Sequence, residues 1–213
     1  MINTGVVGYN SSHGVRQLTT QILQLEPDVL TVRFGFNDHA FSGAVTDVRD
    51  PDNSVLRFLY YQAQHLRLFR LALAGYRRPV GPPAVSVALF EKNLRRFAAL
   101  AQGKRIGLLL IDYPLRPFES GIVPGEALPF LGGARTLEEL HERHQMYQDA
   151  LREVATQEGL QLIETRRELS RPETAAYSSA DLAHPNPRGA ALIARRIADR
   201  LEMLGWVGER SHR

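Results

Sequence analysis

The sequence predicts an α/β fold of three layers, with helices on both faces of a mostly parallel β-sheet. Short apolar runs alternate with longer segments of helical spacing, and glycine-containing polar clusters lie at the ends of the apolar runs. This alternation is typical of parallel strands joined by helices. The 213 residues, of which 44% are hydrophobic and 23% charged, suffice for one such domain. Because no linker or internal repeat divides them, we assign residues 1–213 to a single domain.

The first half of the chain supplies two predicted strands and three predicted helices. Each predicted strand runs directly into a glycine, and the second is rich in β-branched and aromatic residues, which favour strands. The proline-rich segment 79–83 is a predicted loop. The predicted strands are Ile2–Val7 and Val29–Phe34, and the predicted helices are Val15–Leu25, Val55–Tyr76 and Val85–Ala101.

The second half continues the alternation. An apolar strand is predicted at Ile106–Ile111, followed by a loop at Tyr113–Gly133 whose length is typical of lids and binding loops. Thr136 and Glu139 have the spacing of a capping box, which predicts a helix from there to about Glu158. A short strand is predicted at Leu160–Ile163. Asn186 and Pro187 suit the N-cap and first position of a last helix.

Several classes of protein are disfavoured by composition. The chain has no cysteine, which excludes disulfides and thiolate metal sites, and no apolar run long enough to span a membrane. The net charge of +3 comes from scattered arginines without interleaved aromatic residues, so we expect no nucleic-acid partner. No pair of histidines has a ligand pattern and no phosphate-binding loop occurs, so we expect neither a metal nor a cofactor. The oligomeric state stays open.

The compartment stays open as well. The first residues lack the basic start and long apolar stretch of a signal peptide. We therefore expect a soluble protein, cytoplasmic if Met1 is the natural start and exported if a signal segment precedes it.

Three polar clusters fall where an open α/β sheet places its ligand site, beyond the carboxyl ends of strands. The first surrounds Gly8, at positions 5–12, and the second follows the second predicted strand, at positions 35–39. The third, at positions 181–186, precedes the last predicted helix. Taken singly, each is more often a turn or a helix cap than a functional site. Their order along the chain favours a common site.

In their sequence motifs the three clusters resemble the conserved blocks of the SGNH/GDSL hydrolases. Gly8 matches the glycine of the second block, Gly35-Phe36-Asn37-Asp38 matches the Gly-x-Asn-Asp pattern of the third, and Asp181-x-x-His184 matches the fifth. The stretch 146–151 also resembles the helix that precedes the penultimate strand in that family. The resemblance covers almost the whole chain, and it implies the flavodoxin-like α/β/α fold and the serine-esterase activity of the family.

The resemblance also implies roles for four residues. The Gly8 backbone N–H and the Asn37 side-chain amide would donate hydrogen bonds to the oxyanion formed during ester hydrolysis. His184 would be the general base toward the serine, and Asp181 would orient its imidazole ring. Asp112, at the end of a predicted buried strand, would either reach the pocket or form a buried structural hydrogen bond.

The departure from the family is at the nucleophile. The family serine lies in a Gly-Asp-Ser turn after the first strand, and these 213 residues contain no Gly-Asp-Ser. The resemblance therefore implies that this first strand is missing; in the sheet order of the family it would lie between the predicted strands Ile2–Val7 and Val29–Phe34. We expect no nucleophile in this chain and little activity from it as given. Ser11 and Ser12 lie on the wrong side of Gly8 and are better explained by a helix cap.

The activity therefore has alternatives. An esterase acting on small-molecule or acylated-sugar esters is the first interpretation, and an acyltransferase would use the same acyl-enzyme. A non-catalytic relative that binds acyl or carbohydrate ligands is the second. A flavodoxin-like nucleotide-binding domain rests on fold analogy alone. We expect an aromatic pocket wall from Phe36, Tyr113, Phe118 and Phe130, and an exposed position for His141 and His144.

Overall fold

A computed structural model describes residues 1–39, 83–116, 136–177 and 183–206. Three parallel strands form its sheet in the order β1-β2-β3. They are β1 (Val29–Val32), β2 (Gly107–Ile111) and β3 (Gln161–Ile163). The parallel sheet confirms the predicted α/β fold, and all three strands lie inside segments that the sequence predicted as strands.

Six α-helices surround these strands in the described part of the chain. The long ones begin at N-caps that the sequence provides: the side chains of Asn10, Thr136 and Asn186 each accept a backbone N–H of the first turn. Short 3₁₀ turns occupy Ile22–Leu25 and Pro172–Thr174. The helices are α1 (Ser11–Thr20), α2 (Phe36–His39), α3 (Val87–Lys104), α4 (Leu137–Gln157), α5 (Arg166–Leu169) and α6 (Pro187–Met203).

The core lies on both faces of the sheet. Strand β2 is buried on both sides: Leu108 and Leu110 pack into one apolar cluster, and Leu109 and Ile111 into another. The first cluster receives α1, α3 and α4, and the second receives α6 through Ile193. Because successive residues of a strand point to opposite faces, this pattern produces the predicted three layers.

The predicted strand at 2–7 is wrong. Ile2 is 68% exposed and Val7 is 99% exposed, and no strand pairs with this segment among the described residues. Its contacts are a local bond from the Gly5 N–H to Asn3 Oδ1 and a bond from Gln17 Nε2 to the Thr4 carbonyl. A strand requires a neighbour for its N–H and C=O groups, and without one the local pattern does not produce a ladder.

Three other predicted elements lie wholly or mostly outside the described residues. They are the helix Val55–Tyr76, the loop 79–83 and the loop Tyr113–Gly133. Among the helices that the structure describes, none has the length and apolar character needed to cross a membrane.

Candidate active site

The Gly8 turn lies beside the start of α1. Gly8 has φ of 81°, a left-handed conformation that glycine adopts without steric cost. The turn is closed by a hydrogen bond from the Tyr9 N–H to the Val6 carbonyl (3.2 Å). Asn10 then caps α1, its side chain accepting the His13 N–H (3.1 Å). This places the backbone of Gly8 immediately before a well-anchored helix start.

Asn37 lies in α2, which follows the end of β1 after a short turn. Its half-buried side chain donates a hydrogen bond from Nδ2 to the Tyr9 carbonyl (3.0 Å). This hydrogen bond joins the second polar cluster, at positions 35–39, to the Gly8 turn. A primary amide has two N–H donors, so the bond to Tyr9 leaves one for another acceptor.

His184 is exposed and lies near the same end of β1. Its ring meets the ring of Phe36 edge-on, with centroids 6.5 Å apart and planes at 69°. Its segment is held by the buried neighbour Ala183 and by the Asn186 N–H, which donates to the Ala176 carbonyl (2.8 Å). Asp181 lies outside the described residues, so its predicted bond to His184 stays a prediction.

The structure therefore brings three of the four predicted site residues to one region. Gly8 and Asn37 are linked through Tyr9, and Asn37 and His184 are linked through Phe36. Their convergence follows from topology, since the carboxyl ends of parallel strands and the loops beyond them share one edge of the sheet.

The two serines beside Gly8 are engaged elsewhere. Ser11 is fully buried; its Oγ donates to Asp38 Oδ1 (2.5 Å) and accepts from Asn93 Nδ2 (2.8 Å). Ser12 Oγ accepts from the same amide (2.9 Å). The buried Ser11 hydroxyl has no access to an ester carbonyl, and the half-buried Ser12 lies in the first turn of α1 with its hydroxyl held by Asn93.

Asp38 holds the turn between β1 and α2 against α1. Its carboxylate accepts hydrogen bonds from the backbone N–H groups of Ser11 (2.9 Å) and Gly35 (3.0 Å) as well as from the Ser11 hydroxyl. Burial raises the pKa of Asp38 to about 6, although these hydrogen bonds favour the charged form. Asp38 is thus a buried connector of the two segments that contain Gly8 and Asn37.

A chain of buried histidines lies behind Asn37. His144 Nε2 bonds the Tyr113 carbonyl and must donate, since a carbonyl only accepts. His144 Nδ1 is then the acceptor of the bond to His39 Nε2 (2.9 Å). This assignment leaves His39 Nδ1 as a lone pair that is buried without a partner. Both rings are neutral in this arrangement.

Burial accounts for that neutrality. It is the largest cause lowering the pKa of His144 to about 4, and it also lowers the pKa of His39 well below its ordinary value. The positive charges of nearby arginines add to both effects. The expectation that His144 is exposed is wrong: it is 4% exposed, because α4 buries the face on which it lies. His141, one turn earlier, is half-buried.

Tyr113 anchors the aromatic wall predicted beside the site. Its ring stacks on Phe36 (5.9 Å, 17°), and the Arg33 guanidinium lies 4.1 Å from its centroid. Its N–H donates to Gln148 Oε1 (3.0 Å). The predicted wall residues Phe118 and Phe130 lie outside the described residues.

Asp112 has the structural role that the sequence left open. Its Oδ1 accepts from the Thr165 N–H (2.8 Å) and hydroxyl (2.5 Å), and its Oδ2 accepts from the Arg166 N–H (3.1 Å). These bonds tie the end of β2 to the start of α5. Sequence reasoning placed Asp38 and His39 in the second polar cluster without assigning them a role, and it did not place Gln148 near the site. The helical spacing of His144 with Leu137, Leu140 and Leu151 was the available signal for its burial.

The unfolding free energy should fall as the pH is lowered from 7 to 4.5. Groups whose pKa is lowered by folding stabilise the protein above their unfolded pKa of about 6.5, and this contribution is lost as the pH falls toward the folded pKa, about 4 for His144. At ~1.4 kcal/mol per pKa unit, His144 accounts for about 3 kcal/mol. Asp38, with its raised pKa, acts in the opposite direction and offsets part of the loss.

His144→Gln tests this assignment by urea unfolding at several pH values. Glutamine can donate to the Tyr113 carbonyl and accept from His39 without titrating, so the stability of the variant should fall less steeply with acid. Equal slopes for the variant and the parent would show that His144 does not contribute to the acid sensitivity.

Comparison with known proteins finds a matching family model and several solved structures with a similar fold. Residues 1–192 match the family model described as GDSL-like lipase/acylhydrolase. The structure is similar to a GDSL-like lipase from Bacteroides thetaiotaomicron, with a TM-score of 0.60 and 12% identity, covering 95% of this chain and 76% of that one. It is also similar to a lipase/acylhydrolase from Enterococcus faecalis, with a TM-score of 0.55 and 17% identity, covering 91% and 71%.

A third similar structure is a catalytic mutant of an acetylxylan esterase from Geobacillus stearothermophilus, with a TM-score of 0.56 and 17% identity, covering 98% of this chain and 74% of that one. At these identities the likeness concerns the fold. No curated protein sequence matches the chain.

Proposed function

Because this chain belongs to the GDSL-like lipase/acylhydrolase family, we propose that it is the scaffold of a serine esterase acting on carboxylic esters. Its nucleophile would come from a Gly-Asp-Ser block that these 213 residues do not contain. The observation that supports the proposal most is the bond from Asn37 Nδ2 to the Tyr9 carbonyl (3.0 Å). This bond supports the proposal because it joins Asn37 to the segment of Gly8, the other proposed oxyanion donor.

In this mechanism His184 removes the proton of the serine hydroxyl as the oxygen attacks the ester carbonyl. Asp181 holds the imidazole ring in the tautomer that accepts this proton. The carbonyl oxygen becomes an oxyanion, which accepts hydrogen bonds from the Gly8 N–H and from the second N–H of the Asn37 amide. The leaving alcohol takes the proton from His184, and a water molecule then hydrolyses the acyl-enzyme by the same route in reverse.

The substrates we propose are esters of small molecules or of acylated sugars. The acetylxylan esterase among the similar structures supports an acetylated sugar. The Phe36–Tyr113 stack beside His184 offers an apolar surface on which an acyl group or a sugar face can pack.

The test is to extend the chain at its N-terminus with a strand that ends in Gly-Asp-Ser. Hydrolysis of p-nitrophenyl acetate and of acetylated xylo-oligosaccharides is then measured for the extended and the 213-residue proteins, together with labelling by a fluorophosphonate. Binding of an acetylated oligosaccharide without turnover by the extended protein would favour the non-catalytic alternative.

Asn37→Ala in the extended protein should lower kcat by about 10²–10³-fold with little change in KM. The Asn37 amide would contact the oxyanion, which exists in the transition state and not in the bound ester, so its removal acts on kcat. Asn3→Ala is the matched control, since the exposed Asn3 amide oxygen accepts the nearby Gly5 N–H (2.9 Å) in a local bond outside the proposed oxyanion hole. Equal kcat values for the two variants would remove Asn37 from the oxyanion hole.

A further inference from the structure

A cavity of about 190 Å³ lies beyond the carboxyl ends of β2 and β3. One wall is a stripe of polar side chains on α4 that includes His141, Gln145 and Arg152, and another is formed by Arg166 and Ser170 of the α5 segment. At ~30 Å³ per liquid water molecule, the cavity holds about six waters, or one ligand of a few heavy atoms. Gly8, Asn37 and His184 do not line it, so the cavity is separate from the three proposed site residues that the structure describes.

The two arginines of this cavity differ in their partners. Arg152 binds two carboxylates, Glu164 (2.7 Å) and Asp149 (2.8 Å), which compensate its charge. The exposed Arg166 guanidinium bonds the neutral side chain of Gln145, from Nη1 to Oε1 (2.6 Å), and pairs with no carboxylate among the described residues. Guanidinium has five N–H donors, so four remain for a ligand.

The carboxylate of Asp112, which also lines the cavity, does not pair with the Arg166 guanidinium. Both carboxylate oxygens of Asp112 accept hydrogen bonds from the Thr165–Arg166 backbone and the Thr165 hydroxyl. They are therefore already satisfied, and the Arg166 side chain is left without an anionic partner.

The cavity is lined by two histidines, two arginines and one carboxylate, Asp112. Burial is the first cause of the lowered pKa of His144; the bond to the Tyr113 carbonyl raises this pKa, and the charges of His141, Arg166 and Arg33 lower it further. A single negative charge placed between Arg166 and α4 would relieve this repulsion. A dianion would in addition meet the nearby Asp112 carboxyl group.

We propose that this cavity binds a small carboxylate, with the forked donors of Arg166 holding its two oxygens and the Ser170 hydroxyl on the same wall. The planar fork of guanidinium matches a carboxylate in a bidentate arrangement. The size of the cavity suits acetate or a similar short acid. The site does not depend on the proposed ester hydrolysis, and its test requires no catalysis.

The test is an NMR titration with sodium acetate at pH 7, at constant ionic strength maintained with sodium chloride. The ring Cε1–Hε1 signals of His141 and His144 should shift saturably, and acetate should raise the pKa of His141. Arg166→Gln should weaken the apparent acetate affinity at least tenfold. Arg167→Gln, which removes the exposed neighbouring arginine outside the cavity, should leave it within about twofold.

Gln145→Glu provides a second variant that keeps Arg166. The new carboxylate would form an ion pair with the Arg166 guanidinium, in place of the bond to the neutral Gln145 amide. It should therefore also abolish acetate binding. Absence of a saturable shift up to about 100 mM acetate would overturn the proposal, as would equal weakening by Arg166→Gln and Arg167→Gln. Tighter binding of inorganic phosphate than of acetate would overturn the choice of a carboxylate.

Discussion

Extension of the chain by a strand ending in Gly-Asp-Ser is expected to raise kcat/KM for p-nitrophenyl acetate by about 10⁴-fold or more over the 213-residue chain. The added serine supplies the hydroxyl that His184 deprotonates, and its N–H adds an oxyanion donor that is itself worth about 10²-fold or more. The 213-residue chain should hydrolyse the ester barely above background, because His184 then has only water to activate. Fluorophosphonate should label the extended protein alone.

The same extended protein gives the matched test of His184. His184→Ala should remove most of the gain, about 10⁴-fold in kcat, and Ser→Ala at the added serine should do the same. In the 213-residue chain His184→Ala should change the rate little, since water is the only nucleophile there and the rate is already close to background. Stoichiometric labelling of the 213-residue chain at Ser11 or Ser12 would contradict the assignment of the nucleophile.

The parts of the fold that the sequence predicted well are those with local causes. The N-caps Thr136 and Asn186 mark the starts of α4 and α6 because a short side chain satisfies free N–H groups of its own first turn. The apolar run at Gly107–Ile111 is a strand because both faces of the sheet are covered. In each case the signal lies within a few residues of the feature.

The incorrect predictions depend on distant partners. Residues 2–7 have the pattern of a strand, but a ladder requires a neighbouring strand, and the described residues provide none. His144 is polar and was expected at the surface, yet its bonds to His39 and to the Tyr113 carbonyl satisfy both ring nitrogens inside the protein. A single residue type does not reveal a hydrogen-bond partner that is far away in the sequence.

The motif residues of the candidate site show the same division. The resemblance implied roles for Asn37 and His184, whereas the role of Asp38, which lies in the same motif as Asn37, became evident only from its contacts with Ser11 and Gly35. Asp38 is fully buried, and its partners are 27 and 3 residues away in the chain. The aspartate of the Gly-x-Asn-Asp motif thus serves the packing of α1 against the turn that follows β1.

Asp38→Ala is therefore expected to lower the free energy of unfolding by about 3–5 kcal/mol, measured by urea unfolding at pH 7. The change leaves the buried N–H groups of Ser11 and Gly35 and the Ser11 hydroxyl without their acceptor, and it opens a small cavity. Asp149→Ala is the matched control: this exposed carboxylate forms surface bonds to Gln145 and Arg152, and its loss should cost less than about 1 kcal/mol. If Asp38→Ala cost no more than the control, the Asp38 contacts would not be what holds the Gly8 and Asn37 segments together.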